Sequence, residues 1–350
     1  MAYISFQPND NFNTKIYTGN SGTQALTGVG FQPDLVWIKN RNDSNNQSHV
    51  LYDAVRGVTK YISSNSTGAE GTEAAGVTAF GTDGFTVGNT VTVNTGFNYV
   101  GWNWKGGTTS GITTNGSTTI TPSSYSFNAT AGIAILKFTG NSTGGAKLAH
   151  GLGGCDSFWI KRTASAGDDW RIYHKDIGGT HNLKLNSDDG DASGSNIFND
   201  TVPDATNITL GSHNSANASD TMICYAFRGI KGFSKFGTYT GNALTNGPFI
   251  YTGFKPNFVM TKCSSHGSSN WVILDSTRDP YNVGRKRLYP NLSNAEDEAD
   301  RIDFLSNGFK IRGDGNDTNG TSGGSGRKYL YWAFAEHPLV SSNGIPATAR

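Results

Sequence analysis

Three stretches decide the fold: Tyr99-Val100-Gly101-Trp102-Asn103-Trp104, Met222-Ile223-Cys224-Tyr225-Ala226-Phe227 and Tyr329-Leu330-Tyr331-Trp332-Ala333-Phe334. In each, a large apolar residue recurs at every second position: 100, 102, 104; 223, 225, 227; 330, 332, 334. Side chains alternate between the two faces of a strand, so this spacing predicts a strand and not the i, i+3, i+4 pattern of a helix. The intervening residues are smaller or mixed, and Cys224 among them reads as a packing residue.

The same order of blocks precedes each stretch. Lys15-Ile16-Tyr17-Thr18-Gly19-Asn20, Lys137-Phe138-Thr139-Gly140-Asn141 and Thr238-Tyr239-Thr240-Gly241-Asn242 open the copies. Apolar runs ending in Lys39, Lys161 and Lys262 follow, then His49 to Asp53, Trp170 to His174 and Trp271 to Asp275. A turn into a strand comes next, at Asp83-Gly84, Asn207-Ile208 and Asn307-Gly308. Five blocks in one order, three times, make an internal repeat. Leu35-Val36-Trp37-Ile38, apolar on both faces, suits a central strand between two layers. The Asp-Gly and Asn-Gly pairs predict hairpins with positive-φ residues.

About six or seven short strands per copy suffice for a small two-sheet sandwich. The expected modules are 12–106, 133–229 and 235–340, each with its own core receiving the alternating residues of its closing block. Residues 107–132, rich in Gly, Ser and Thr, read as a linker that is either flexible or an extended strand crossing a neighbour, with partial order favoured. The short join from Gly229 to Lys235 predicts rigid packing of copies two and three, with copy one freer. Ser341 to Arg350 reads as an extended or frayed end.

Composition agrees with an all-β chain. Of 350 residues, 46 are Gly, and only five of the 27 acids are the helix-favouring Glu (Glu70, Glu73, Glu296, Glu298, Glu336). The 28 basic residues nearly cancel the acids, which argues against a nucleic-acid protein. The one basic cluster, Arg285-Lys286-Arg287, reads as a solvated turn. The opening residues lack the charged and apolar regions of a signal peptide, and no apolar run reaches the ~18 residues of a membrane span. Three cysteines without CxxC spacing predict reduced thiols, with no metal, disulfide or cofactor required.

Nucleophile-elbow, phosphate-loop and zinc-protease motifs are absent from the sequence. A glycosidase would need two carboxylates across a cleft, and the Glu70/Glu73 and Glu296/Glu298 pairs sit in polar loop sequence where solvated acids are the ordinary reading. Asp188-Asp189-Gly190-Asp191 and Asp314-Gly315-Asn316-Asp317 lack the EF-hand frame and read as turns ahead of Ca²⁺ loops. Asp53 with Arg56, and Asp275 with Arg278, recur at one spacing and read as turn-fixing pairs, whereas copy two has His174 and Ile177 there. Trp170 and Trp271 follow polar loops. Strand-end packing is their ordinary reading, and stacking on a sugar ring is the functional reading for which they are the candidates.

Phe31-Gln32-Pro33-Asp34-Leu35-Val36-Trp37-Ile38-Lys39-Asn40-Arg41, Tyr52-Asp53-Ala54-Val55-Arg56-Gly57, Gly232-Phe233-Ser234-Lys235-Phe236-Gly237 and Trp332-Ala333-Phe334-Ala335-Glu336-His337-Pro338 carry a family resemblance. They resemble a repeated domain of virion proteins in tailed, especially marine, bacteriophages, over about residues 12 to 340. The resemblance implies three tandem lectin-like, jelly-roll-type (concanavalin A-like) β-sandwiches in a structural protein of the particle, with no catalytic residues to carry over. Copy two departs most, lacking the Phe-x-Pro and Arg-Gly elements. The resulting expectation is a non-enzymatic virion surface protein, a tail fibre, knob or head decoration. It would be assembled in the host cytoplasm and present in many copies or as a homo-oligomer. Its expected partners are other virion proteins and host-surface glycan, without nucleic acid or membrane insertion. A purely structural capsid decoration and a polysaccharide depolymerase are the alternatives.

Overall fold

Strands with one bulky face must bury that face against something, and the computed structural model shows what. It describes residues 6–322, 324–335, 339–340 and 346–347. The chain is all-β and antiparallel, with three one-turn α-helices among the described residues (Ser195–Phe198, Asn214–Asn217, Asn316–Asn319). Each repeat builds its larger sheet on the same four strands. Copy one orders them Phe12–Thr18, Asn98–Trp104, Leu35–Asn40, Val50–Asp53, and copy three Ser234–Thr240, Lys328–Ala335, Pro256–Cys263, Val272–Asp275. Copy two has Ile133–Thr139, Thr221–Phe227, Ser157–Arg162 and Arg171–His174, with Ser124–Asn128 added at the edge. The registers match: Leu35 faces Trp104, Ser157 faces Phe227 and Phe258 faces Phe334.

Both faces of these sheets are dry. On one face, Tyr99, Val36 and Ile38 pack on the copy's own smaller sheet through Leu26, Phe85 and Val87. Copy two does the same with Cys224, Ala226 and Leu136 against Leu148 and Ile208. The opposite faces meet one another. Trp102, Trp104, Tyr225, Phe227, Trp332 and Phe334 belong to one continuous cluster drawn from all three copies. Trp104 and Phe227 both contact Phe334, at ring-centroid distances of 5.6 and 6.1 Å, and Trp37 meets Trp159 at 5.7 Å. The closing-block residues therefore do point into a core, but a shared one, and copy one is packed as deeply as the others instead of sitting more freely.

Two further expectations are corrected, while residues 107–132 show the partial order favoured for them, laid onto copy two. Thr108 bridges Phe127, Ile120 bridges Leu148, and Ser124–Asn128 extends its sheet, because Asp34 of copy one anchors Ser126 Oγ (2.9 Å) and Gly106 N (3.0 Å). The hairpins turn at 82–83 and 306–307, one residue before the expected place, and Asn307 is not at positive φ. Gly84 does take positive φ (+144°), and both glycines also serve close approach: a Cβ on Gly84 would lie 1.9 Å from Leu26 O, and one on Gly308 2.1 Å from Ile250 O. Arg285-Lys286-Arg287 lies in the strand Gly284–Arg287, with Arg285 paired to Asp300 and Arg287 to Asp297. Most of the tail from Ser341 lies outside the described residues.

A core shared by three copies makes their stabilities inseparable. Truncating Trp332, fully buried in that core, is expected to cost about 3–5 kcal/mol, as for other large buried aromatics. The loss should appear as one lowered calorimetric transition for the whole chain. A separate transition for copy three, or a fragment 133–229 that folds alone by circular dichroism, would contradict the shared core.

Candidate functional site

Burying aromatic N–H and O–H groups favours pairing with acceptors, and for three of them the shared core supplies one across copies, whereas Trp104 and Trp159 Nε1 have no partner. Trp102 Nε1 of copy one donates to Asp275 Oδ2 of copy three (3.0 Å). The Tyr225 hydroxyl of copy two donates to Asp53 Oδ2 of copy one (2.7 Å). Trp332 Nε1 of copy three donates to Ser157 Oγ of copy two (2.8 Å). The cycle closes, so the copies surround a common axis with three seams.

The Asp–Arg pairs lie in two of these seams. Arg56 donates to Asp53 through its N–H (2.7 Å) and Nε (2.5 Å), and Arg278 does the same to Asp275 (2.8 and 2.5 Å). Both pairs thus close the local turn. Arg278 also donates to Glu296 (2.8 Å), and its guanidinium lies 5.6 Å from the Trp102 ring centroid. Arg56 approaches Glu70 (3.5 Å) and the Tyr225 hydroxyl (3.4 Å). Burial alone would raise the Glu296 carboxyl, but Arg41 and Arg278 hold it below the ordinary range.

Trp170 and Trp271, the sugar-stacking candidates, are fully buried and present no face to a ligand. Their indole N–H groups donate across seams, Trp170 to Ser63 O and Trp271 to Lys184 O, each at 2.9 Å. The polar loops before them fold over the seams rather than leaving the rings at an open mouth. His49, at the same repeat position, is also buried, and accepts from Trp37 Nε1 (3.1 Å).

Sequence reasoning missed two sets of seam and loop residues. Lys39, Lys161 and Lys262 are buried, and each donates to one carbonyl of its own copy and one of another: Gln47 and Ser293, Asp168 and Thr67, Ser269 and Asp188. Loss of hydration pulls all three amines down to about 8. Their common place at the end of the apolar run was the available signal. The second set is Asn94, Asn217 and Asn319, whose carboxamides clasp the Gly-Asn turns opening each copy. Asn94 accepts from Asn20 N, Asn217 from Asn141 N and Asn319 from Asn242 N, at 2.7 to 2.9 Å.

The third seam, between copies two and three, is crossed by the Trp271–Lys184 and Lys262–Asp188 bonds but is not filled throughout. A polar groove of about 520 Å³ lies there, within the size range of ligand pockets. Hydroxyls of Thr240, Ser265, Ser322 and Ser325 line it, with Asp176, Asp191, His181, His266 and Lys328. Burial raises the carboxyls of Asp176 and Asp191, an effect partly offset by Lys175 for the first and by His181 and Lys328 for the second. Asp188 contributes its carbonyl to Lys262, and Asp189 pairs with Lys184 (3.3 Å). In the other acidic run, Asp317 caps Asn270 N (2.7 Å). Glu73 is occupied by Tyr52 and Thr92, at 2.9 and 2.8 Å.

Against this geometry stands one match, to a family model described as a domain of unknown function (DUF7483), over residues 7–338. The chain belongs to that family. No curated protein and no solved structure matches it. The single DUF7483 unit spans all three copies, in keeping with a core to which each contributes.

Two outcomes follow from the buried groups. Asp275→Ala leaves the buried Arg278 without its closest carboxylate and is expected to cost about 3–5 kcal/mol by denaturant unfolding. His174, held down to about 3 chiefly by burial, stays neutral in the folded chain but takes a proton when unfolded below about pH 6.5. Its folded pKa is depressed, so the unfolded state binds more protons there and stability falls as pH falls. His49 is lowered by burial in the same sense. The melting temperature should drop from pH 7 to pH 5, and the drop should be smaller in His174→Gln.

Proposed function

We propose that this DUF7483 chain is a non-enzymatic surface protein of a bacteriophage particle, a tail fibre, knob or head decoration, that contacts host-surface glycan and neighbouring particle subunits. The observation that carries the reading is the groove between copies two and three. Its serine and threonine hydroxyls, with carboxylates and imidazoles on the same lining, offer the mixed donors and acceptors that a polyol's hydroxyls need. The resemblance of the Phe31–Arg41 and Trp332-Ala333-Phe334 blocks to phage virion repeats supports the setting, and with it a jelly-roll-type, concanavalin A-like sandwich for each copy. A rigid body with one open seam gives one contact per chain. Useful affinity then comes from many chains on one particle, through effective concentration.

Thr240 is an exposed edge-strand residue on the groove wall, so a bulky replacement blocks the groove without entering the core. Purified protein should bind a subset of immobilised bacterial surface polysaccharides, and Thr240→Trp should weaken that binding at least about tenfold, in line with losing a few hydrogen bonds. Release of sugar fragments from the bound polysaccharide would make it a depolymerase instead. Protein that binds no polysaccharide, but whose loss from particles causes rupture under osmotic shock, would make it a structural decoration alone.

A further inference from the structure

The three seams carry one set of positions, and two seams are filled by an internal arginine. Main-chain bonds establish the equivalence. Glu70 N donates to Thr163 O (2.9 Å), Glu296 N to Arg41 O (2.7 Å) and Asp191 N to Ser264 O (2.7 Å). Likewise Ala54, Lys175 and Ser276 donate to Asp34, Asp156 and Asn257 (2.9, 2.9 and 2.8 Å). These bonds put Ile177 where the other copies have Arg56 and Arg278, and Asp191 where they have Glu70 and Glu296. In copies one and three the guanidinium lies between an acid of the second loop and the neighbouring copy's aromatic residue. In copy two the residues at the equivalent positions, Ile177 and Asp191, both line the groove.

We infer that the inner end of this groove receives the guanidinium of an arginine side chain from a neighbouring polypeptide, in the place that Arg56 and Arg278 fill in the other two seams. Asp191 takes the role of Glu296, accepting from the fork, and Asp176 on the adjoining turn adds a second carboxylate. The planar fork and permanent charge of arginine distinguish it from a lysine at such a site. His181, His266 and Lys328 also face the groove and oppose a cation, so the carboxylates set where it sits. The inference rests on the groove being a contact surface, but it concerns a protein partner and stands apart from the glycan.

Isothermal titration of the full chain with N-acetyl-arginine amide at pH 8 tests it, beside the citrulline, lysine and glucosamine analogues. Saturable binding at least tenfold tighter for arginine than for uncharged, isosteric citrulline is expected. Asp191→Asn should lose that margin, and so should Ile177→Arg, which refills the site from within. Ile177 is only partly buried, and an unchanged melting profile of each variant confirms folding. If Ile177→Arg misfolds, the Asp191→Asn comparison decides alone. Equal binding of arginine and citrulline, no binding, or preference for lysine or glucosamine would overturn the inference. The polysaccharide measurement stands or falls independently of all of these.

Discussion

A buried indole N–H or phenol O–H needs an acceptor, because leaving one unsatisfied costs about 1–3 kcal/mol. In this protein the acceptors for Trp102, Tyr225 and Trp332 lie on other copies of the repeat. That one requirement ties the architecture together. It places the three closing strands around one axis, turns their bulky faces inward and fixes which copy abuts which. The seam lysines repeat the logic as charged donors binding pairs of carbonyls from two copies. No copy can satisfy these groups by itself, so the unit that folds is the set of three.

This explains what was legible in the sequence. Strands and repeat order could be read because side chains alternate with period two, and the three closing blocks keep that period in step. Which face would meet which partner could not, because alternation separates two faces without naming what covers them. Both faces are apolar here, and alternation alone points the bulkier one to each copy's own core. Trp170 and Trp271 were read from the polar loops before them, yet the same loops close over the seams. The Asp-Gly and Asn-Gly pairs predict positive φ, which Gly84 takes and Gly308 does not. Both also give room for a neighbouring carbonyl, a tertiary fact with no local signature.

The candidate site was legible in a different way. That copy two lacks the Asp–Arg pair is plain in the sequence, where His174 and Ile177 stand in its place. Its consequence was hidden, since a pair that closes a turn predicts only a looser turn when lost. The arginine turns out to reach beyond its turn into the seam, so its loss opens a groove between two copies. The acidic run from Asp188 to Asp191 showed the same ambiguity. One residue pairs with a lysine, one offers its carbonyl to another lysine, and one faces the groove.

The changes in copy two form a matched set rather than an erosion of the repeat. Removing Arg56 or Arg278 alone would strand a fully buried carboxylate, at a cost of several kcal/mol. Copy two replaces that carboxylate with His174, which burial keeps neutral. The neighbouring indole still needs its acceptor, and it finds one on the strand partner of residue 174. Ser157 pairs with His174 in register, at the position where the other copies carry Leu35 and Phe258. Its hydroxyl accepts from Trp332 and donates to Tyr173 O (2.7 Å), so both its oxygen and its proton are used, while His174 Nε2 stays buried without a partner. Three coordinated replacements thus keep the shared core intact while emptying one guanidinium position. A seam altered with the core still packed around it is a standing feature of the fold, available for a partner to occupy.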